Sequence, residues 1–309
     1  MILPALFFLV QTLPDRWITG GPNCMEVPDW QVHEYNPTFY ILRESGCTNY
    51  EKPFLYLLFG REKALLEDTG AGKPDTARIV ESVITKWLAR NQRTSISLVV
   101  AHSHGHGDHI AGDRTFENFR YPVTMVPLTV EGTAQFYRIE NWPEGHGQID
   151  LGERVLDVIP IPGHERLSIA LFDRQTGVLL TGDTVYPGRL YFPATELATF
   201  SASIARLVNF AGTHPITHIL GTHIEQSRTA SLDYPIGSFY QPDEHILQLG
   251  VDHLRALDSA LKKMDGKPSR LALPDLTIWP ITPEVRKEME ETRKATDERL
   301  RKTMWAQPK

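Results

Sequence analysis

The chain has 309 residues, 41% hydrophobic and 23% charged, with a formal net charge of −6 and an isoelectric point near 6.1. That length supports one or two domains around a sizeable core. The acidic balance argues against a nucleic-acid partner, and no apolar run reaches the ~20 residues that cross a bilayer as a helix.

In chain order, "MILPALFFLV" (1–10) has the apolar character of a secretory h-region but lacks a basic flank and a clear cleavage site. The compartment is therefore open between cytoplasm and export. Residues 11–37 are rich in Pro, Gly and Asn and read as irregular, so residues 1–37 are expected to form a leader. Cys24 and Cys47 are the only cysteines. Two make no disulfide framework in a chain this long; an exported form could pair them, and a reduced form would leave two thiols.

Apolar segments separated by turn residues follow. "FYILR" (39–43), "FLYLLFG" (54–60) and "KALLEDTG" (63–70) read as strands, the last two joined by a hairpin at Gly60–Glu62. "DTARIVESVITKWLARNQ" (75–92) has helical spacing, with Asp75 as N-cap and Trp87 in the core. "SISLVVAHS" (95–103) and "YPVTMVP" (121–127) read as strands, as do "VLDVIPIPGH" (155–164), "SIALFD" (168–173) and "GVLLTGD" (177–183). "SASIARLVNF" (201–210) is helical and "ITHILGTH" (216–223) a strand. This interleaving predicts a layered α/β protein. Residues 243–264 and 283–305 read as two helices with a Pro-rich link at 268–283 between them. The second is so charged that it belongs on the surface. The division is 38–240 for the catalytic domain and 241–309 for a helical extension packed on it.

The stretch "VVAHSHGHGDHIAG" (99–112) carries the chemistry. Its useful register is His-x-His-x-Asp-His: His104, His106, Asp108 and His109. His102 falls outside that register and reads as a bystander at the strand end. Side chains two apart on extended backbone point the same way, so His104 and His106 can grip one ion. The chain then turns at Gly107, which lets Asp108 and His109 face a second. Downstream, Pro162-Gly163-His164, Thr181-Gly182-Asp183 and Gly221-Thr222-His223 each put a ligand-type side chain just after an apolar strand. Seven such groups are enough for two metals, three histidines on the first, Asp108 with two histidines on the second, and one carboxylate between them. Imidazole and carboxylate suit Zn²⁺ and also accept Fe or Mn.

The motifs "LLEDTG", "HSHGHGDH", "PGH", "LLTGD" and "GTH" occur in the order found in the metallo-β-lactamase superfamily, which the chain resembles over residues 38–225. The resemblance implies a four-layer αββα sandwich with the metals at one edge of its two sheets. It implies His104, His106 and His164 on the first ion, Asp108, His109 and His223 on the second, and Asp183 bridging. It gives Asp68 a structural role in orienting the metal loop. True β-lactamases lack the bridging aspartate, the flavo-diiron branch has Glu where this chain has His106, and the related RNA nucleases carry basic arms that are absent here. The full set of seven is most similar to the glyoxalase II, thioesterase and lactonase branches. That implies a hydrolase of a small-molecule ester, thioester or lactone, using a hydroxide shared by two divalent ions, with Asp108 in the catalytic centre. The alternative is an oxidoreductase resembling the persulfide dioxygenases, which use one iron.

Tyr186, three residues after Asp183, is a candidate catalytic residue. A tyrosine in this region can stabilise the oxyanion that develops on a carbonyl oxygen. Arg189, Tyr191 and Phe192 are candidates to line the pocket, and Ser168 to bond a ligand from behind. His33, His146, His214, His218, His245 and His253 show no ligand spacing. No oligomeric state is assigned.

Overall fold

The structure, a computed structural model, describes residues 12–21 and 23–304. The signal-like stretch at 1–10 lies outside them. Strand β1 (Trp30–Asn36) opens an antiparallel meander with β2 (Phe39–Glu44), β3 (Phe54–Phe59) and β4 (Lys63–Glu67). Helix α1 (Thr76–Arg90) then crosses over, its first turn capped by the Asp75 side chain, which accepts from Arg78 N. β5 (Ser97–Ala101) continues the sheet in parallel, and after the short helix α2 (Gly107–Ile110) β6 (Val123–Met125) completes it. Helix α3 (Val130–Tyr137) leads to a second sheet, begun by β7 (Gly147–Asp150), β8 (Val155–Pro160), β9 (Ile169–Asp173) and β10 (Val178–Leu180).

The chain next leaves that sheet as β11 (Arg189–Pro193) and packs helix α4 (Leu197–Ala211) on its outer face. It re-enters as β12 (His218–Leu220) and β13 (Gln248–Leu249), followed by helix α5 (Val251–Lys263). β14 (Leu271–Ala272) and β15 (Thr277–Ile281) pair with β11 in a small third sheet, and helix α6 (Pro283–Met304) follows.

Alternation along the strands sorts side chains into layers. Ile41, Tyr56, Leu58 and Leu65 of the first sheet meet Leu156, Val158, Ile169 and Leu171 of the second. Their neighbours Leu42, Leu57 and Leu66 face outward onto Val80, Ile84 and Trp87 of α1. Ile159, Phe172 and Leu179 meet Phe200 and Ile204 of α4 and Leu254 and Leu257 of α5. The result is the four-layer αββα sandwich, with the C-terminal helix α6 beyond it. Each such fully buried side chain stabilises the fold by about 1.5–3 kcal/mol before its entropy cost. Polar groups also join the two sheets, Arg154 foremost among them. Arg154, fully buried, pairs with Asp173 of β9 through two bonds of 3.0 and 2.6 Å and donates to the carbonyls of Thr38 and Phe59.

The structure differs from the sequence expectations in several places; β7, α3 and β11, for example, were not expected. Residues 30–36, expected to be irregular, form edge strand β1. The helix expected over 243–264 begins only at Val251, because 248–249 pair with β12. The link at 268–283 contains two strands of the third sheet. Of the two states open to Cys24 and Cys47, the structure has the disulfide. No helix of the described residues is long and apolar enough to cross a membrane.

Candidate metal centre

The loops after β5, β8, β10 and β12 converge at one edge of the sandwich. Two glycines permit the approach. Gly182 has φ +51°, and a Cβ there would meet the Ser103 side chain at 2.7 Å. Gly163 has φ +137° and lies against the α4 backbone, where a Cβ would come within 2.6 Å of Phe200 Cα. Only glycine fits at both.

Two groups of side chains that could hold metal ions result: His104, His106 and His164, and Asp108, His109, Asp183 and His223. All seven residues singled out in the sequence are in them. In the first group the facing ring nitrogens lie 3.0, 3.0 and 3.2 Å apart. Nitrogens at ~2.0 Å from a shared tetrahedral ion would be separated by about 3.3 Å, so the ring fits one cation. In the second, Asp108 Oδ2 lies 3.2 Å from both His109 Nε2 and His223 Nε2. Asp183 faces both groups. Its Oδ1 is 3.5 Å from His109 Nε2 and 3.2 Å from His223 Nε2, while its Oδ2 is 3.8 Å from His104 Nε2 and 3.6 Å from His164 Nε2.

Four imidazoles are fixed from behind. His109 Nδ1 bonds Asp68 (2.8 Å), His164 Nδ1 the Tyr191 carbonyl (2.6 Å), His223 Nδ1 the Glu51 carbonyl (2.9 Å) and His104 Nδ1 the Ser103 hydroxyl (3.1 Å). An N–H donated outward leaves the inner nitrogen with a lone pair, the ligating form. His109 Nε2 is buried and makes no hydrogen bond of its own, as an atom meant for an ion would. Asp68 also accepts from the Ser103 amide and hydroxyl, so it holds the metal loop as well as His109.

Electrostatics differ between the groups. Burial, then the neighbouring imidazolium charge, pushes His104 well below its ordinary pKa; burial also lowers His164. Both are neutral. Burial opposes charge on His109 and His223 too, but the carboxylates, Asp108 and Asp183 foremost, outweigh it and hold both well up. Burial likewise opposes charge on Asp108 and Asp183, and the facing imidazoles keep both well below the carboxylate range. The negative potential that draws protons onto these rings would draw a divalent cation in their place.

His102 belongs to neither group. Its Nε2 lies 2.9 Å from Asp113. Among the described residues the other histidines are outside both groups as well; His245 and His253, for example, share Asp275 at 3.1 and 3.2 Å.

Above the two groups opens a pocket of about 390 Å³. Tyr186 lines it but is buried. Its hydroxyl donates to the Arg189 carbonyl, with Glu225 Oε2 at 3.1 Å. A phenol has one proton, and in this position it is given to the Arg189 carbonyl. Arg189 and Tyr191 do line the pocket, whereas Phe192 points the other way and stacks on Phe200 at 4.3 Å. Ser168 only accepts from the Glu165 amide. The sequence reading missed Glu51, Glu225 and the first turns of α6, which brings Arg286 and Met289 to the pocket. Burial, then the Asp108 charge, raises Glu51 to about 7. Nothing in its surroundings, Tyr50-Glu51-Lys52, marks it as part of a site. Glu225, two residues after His223 in "GTHIE", was the one with a local signal.

The pattern of the metallo-beta-lactamase superfamily matches residues 53–273, and the chain belongs to that family. Among curated relatives, the human acyl-coenzyme A thioesterase MBLAC2 is 22% identical over 231 residues, 64% of this chain and 83% of that protein. The hydroxyacylglutathione hydrolase of Anaeromyxobacter dehalogenans is 31% identical over 182 residues, 56% of this chain and 62% of that protein. Among solved structures, a metallo-beta-lactamase from Pontibacter korlensis superposes with a TM-score of 0.50 at 18% identity, covering 75% of this chain and 99% of that one. The fold and the His/Asp groups are those of a metal-binding hydrolase.

Proposed function

We propose that this protein hydrolyses acyl thioesters or esters with two divalent ions, zinc foremost and iron or manganese as alternatives. His104, His106 and His164 would hold the first, Asp108, His109 and His223 the second, and Asp183 both. The observation that carries the reading is the Asp183 carboxylate, whose two oxygens face different imidazole sets on the floor of a pocket sized for a small acyl substrate. Bound there, the ions would supply Lewis acidity to an acyl carbonyl and lower the pKa of a water.

The chain's own residues do the rest. Asp108 is anionic and is the group placed to take a proton as water adds to the carbonyl carbon. That proton then leaves with the thiolate or alkoxide, so the products are an acid and a thiol or alcohol. Such leaving groups depart with little help, whereas an amide nitrogen must first be protonated. A phosphodiester would need free cations to clamp it. The buried cations of the pocket wall are committed: Arg189 bonds Glu225, and Lys52 Nζ donates to the carbonyls of Tyr50 and Ser238; among the described residues that leaves Arg286 of α6, a single exposed guanidinium at the pocket. The names of the two relatives point the same way, since both describe hydrolysis of an acyl group from a thiol carrier.

The test is elemental analysis of protein purified without added metal, followed by a chromogenic panel with and without chelator. The panel holds aryl esters, acyl thioesters, lactones, a β-lactam and a bis-aryl phosphate. We expect two ions per chain and chelator-sensitive turnover, fastest on thioesters or aryl esters. A preference for the β-lactam or phosphate, or ester turnover surviving complete metal removal, would defeat the reading. One iron per chain with oxygen consumption would place the protein with the single-iron oxidoreductases instead.

A further inference from the structure

The alternation of β11 splits its side chains. Leu190 and Phe192 are fully buried in the core under α4, while Arg189 and Tyr191 face the pocket. Arg189 is fixed on every side. Its Nη2 bonds Glu225 Oε1 at 2.6 Å, its amide donates to Glu225 Oε2 at 2.8 Å, and its Nη1 donates to the Tyr234 carbonyl at 2.6 Å. Its Nε–H is given to the Tyr191 hydroxyl oxygen at 2.6 Å.

That bond has a direction. A guanidinium N–H can only donate, so the Tyr191 oxygen is the acceptor, and its own proton is left over. Among the described residues no hydrogen bond from that proton to a protein acceptor is found. A phenol that accepts from a cation is also a stronger donor, because charge drawn from its oxygen polarises the O–H. The residue is anchored to the metal centre through its backbone, where its carbonyl takes the His164 Nδ1 proton. Tyr186 has the opposite arrangement, with its proton spent on the Arg189 carbonyl.

We propose that Tyr191 is the phenolic donor of this site. Its O–H hydrogen-bonds the substrate's carbonyl oxygen as the C=O electron pair moves onto that oxygen during addition of water, and the Arg189–Glu225 pair holds and polarises it. No proton leaves Tyr191; it donates a hydrogen bond that strengthens as the oxygen becomes anionic, which is differential binding of the transition state. The proposal rests on the hydrolase reading above.

Tyr191→Phe removes the hydroxyl and keeps both the ring and the backbone carbonyl that serves His164. The experiment compares wild type and Y191F, each checked for metal content and melting temperature. The readouts are kcat and KM on an aryl thioacetate and an aryl butyrate, and binding of two probes by calorimetry: an aryl methylphosphonate monoester, a tetrahedral anion, and the matching uncharged thioether. In Y191F we expect kcat to fall on the order of 100-fold with KM within about threefold. Phosphonate affinity should fall about tenfold or more, with metal content and thioether affinity unchanged. Unchanged kcat and phosphonate affinity would overturn the proposal. So would an equal loss of both probes, which would make Tyr191 only a wall. If wild type hydrolyses none of the acyl substrates, the hydrolase reading itself fails; if wild type is active and Y191F matches it, only the role of Tyr191 fails.

Discussion

Asp183 and His102 are both buried polar residues, yet they carry different consequences. Among the described residues Asp183 is the side chain with one oxygen toward each group, and Thr222 donates to its Oδ1. Asp183→Asn preserves shape but removes the charge that offsets two nearby dications. We expect the variant to keep no more than one ion per chain and to lose at least about 100-fold in activity, in line with the weight of electrostatic groups at such sites. Elemental analysis checks the first, and two retained ions with unchanged turnover would contradict the bridging role. His102 bonds Asp113, which in turn accepts from Thr69 in the loop ahead of α1. His102→Ala should therefore keep both ions and lose about 1–3 kcal/mol of stability through the broken buried bond. Loss of one metal equivalent would mean that the ligand register begins one histidine earlier.

At the scale of elements, the decisive contact is between sheets. Arg154 and Asp173 are both fully buried, and their bond joins the end of β3 and the turn before β2 to β9. A buried pair is costly to break because one charge is stranded without solvent. Asp173→Ala should cost about 3–5 kcal/mol, a fall in melting temperature of roughly 5–8 °C for a chain of this size. A shift of a degree or two would show that water replaces the carboxylate. This contact was not legible in the sequence, where "GERVLDV" reads only as a strand and its flank. The strands and helices around it were legible wherever apolar spacing was long and regular, as in 54–60, 75–92 and 155–164. β1 was hidden because "WQVHEYN" is half exposed and mostly polar. β11 was hidden because Arg189 and Tyr191 are polar on the pocket side. β14 and β15 pair over only a few residues between prolines, so their strand character comes from contact with β11. The seven His and Asp side chains that meet at this edge were the most legible part, since each lies in a segment that follows an apolar strand. For Tyr186, proximity to Asp183 in the chain does not tell where a hydroxyl proton goes, which in the structure is the Arg189 carbonyl.

At the scale of the whole molecule, the candidate metal centre lies where the two sheets meet. His104, His106, Asp108 and His109 follow β5 of the first sheet; His164, Asp183 and His223 follow β8, β10 and β12 of the second. Ions held by both sets would therefore fasten one sheet to the other at that edge. An unfolded chain has no such arrangement, so binding adds to folding stability by linkage. At free zinc of ~100 times the dissociation constant, each site contributes about 2.7 kcal/mol. For two sites in a chain of this size, that is a rise in melting temperature of roughly 10 °C. Without ions, the carboxylates Asp108 and Asp183 have only the protonated rings of His109 and His223 to offset them, and burial opposes those charges. Chelated protein should therefore melt well below protein resupplied with zinc. The Asp183→Asn variant should show less than half of the wild-type rise, because its ions can no longer share a carboxylate between the sheets. Scanning fluorimetry on chelated samples titrated with zinc measures both. Equal melting temperatures with and without zinc would mean that the seven side chains meet for another reason than to hold metal.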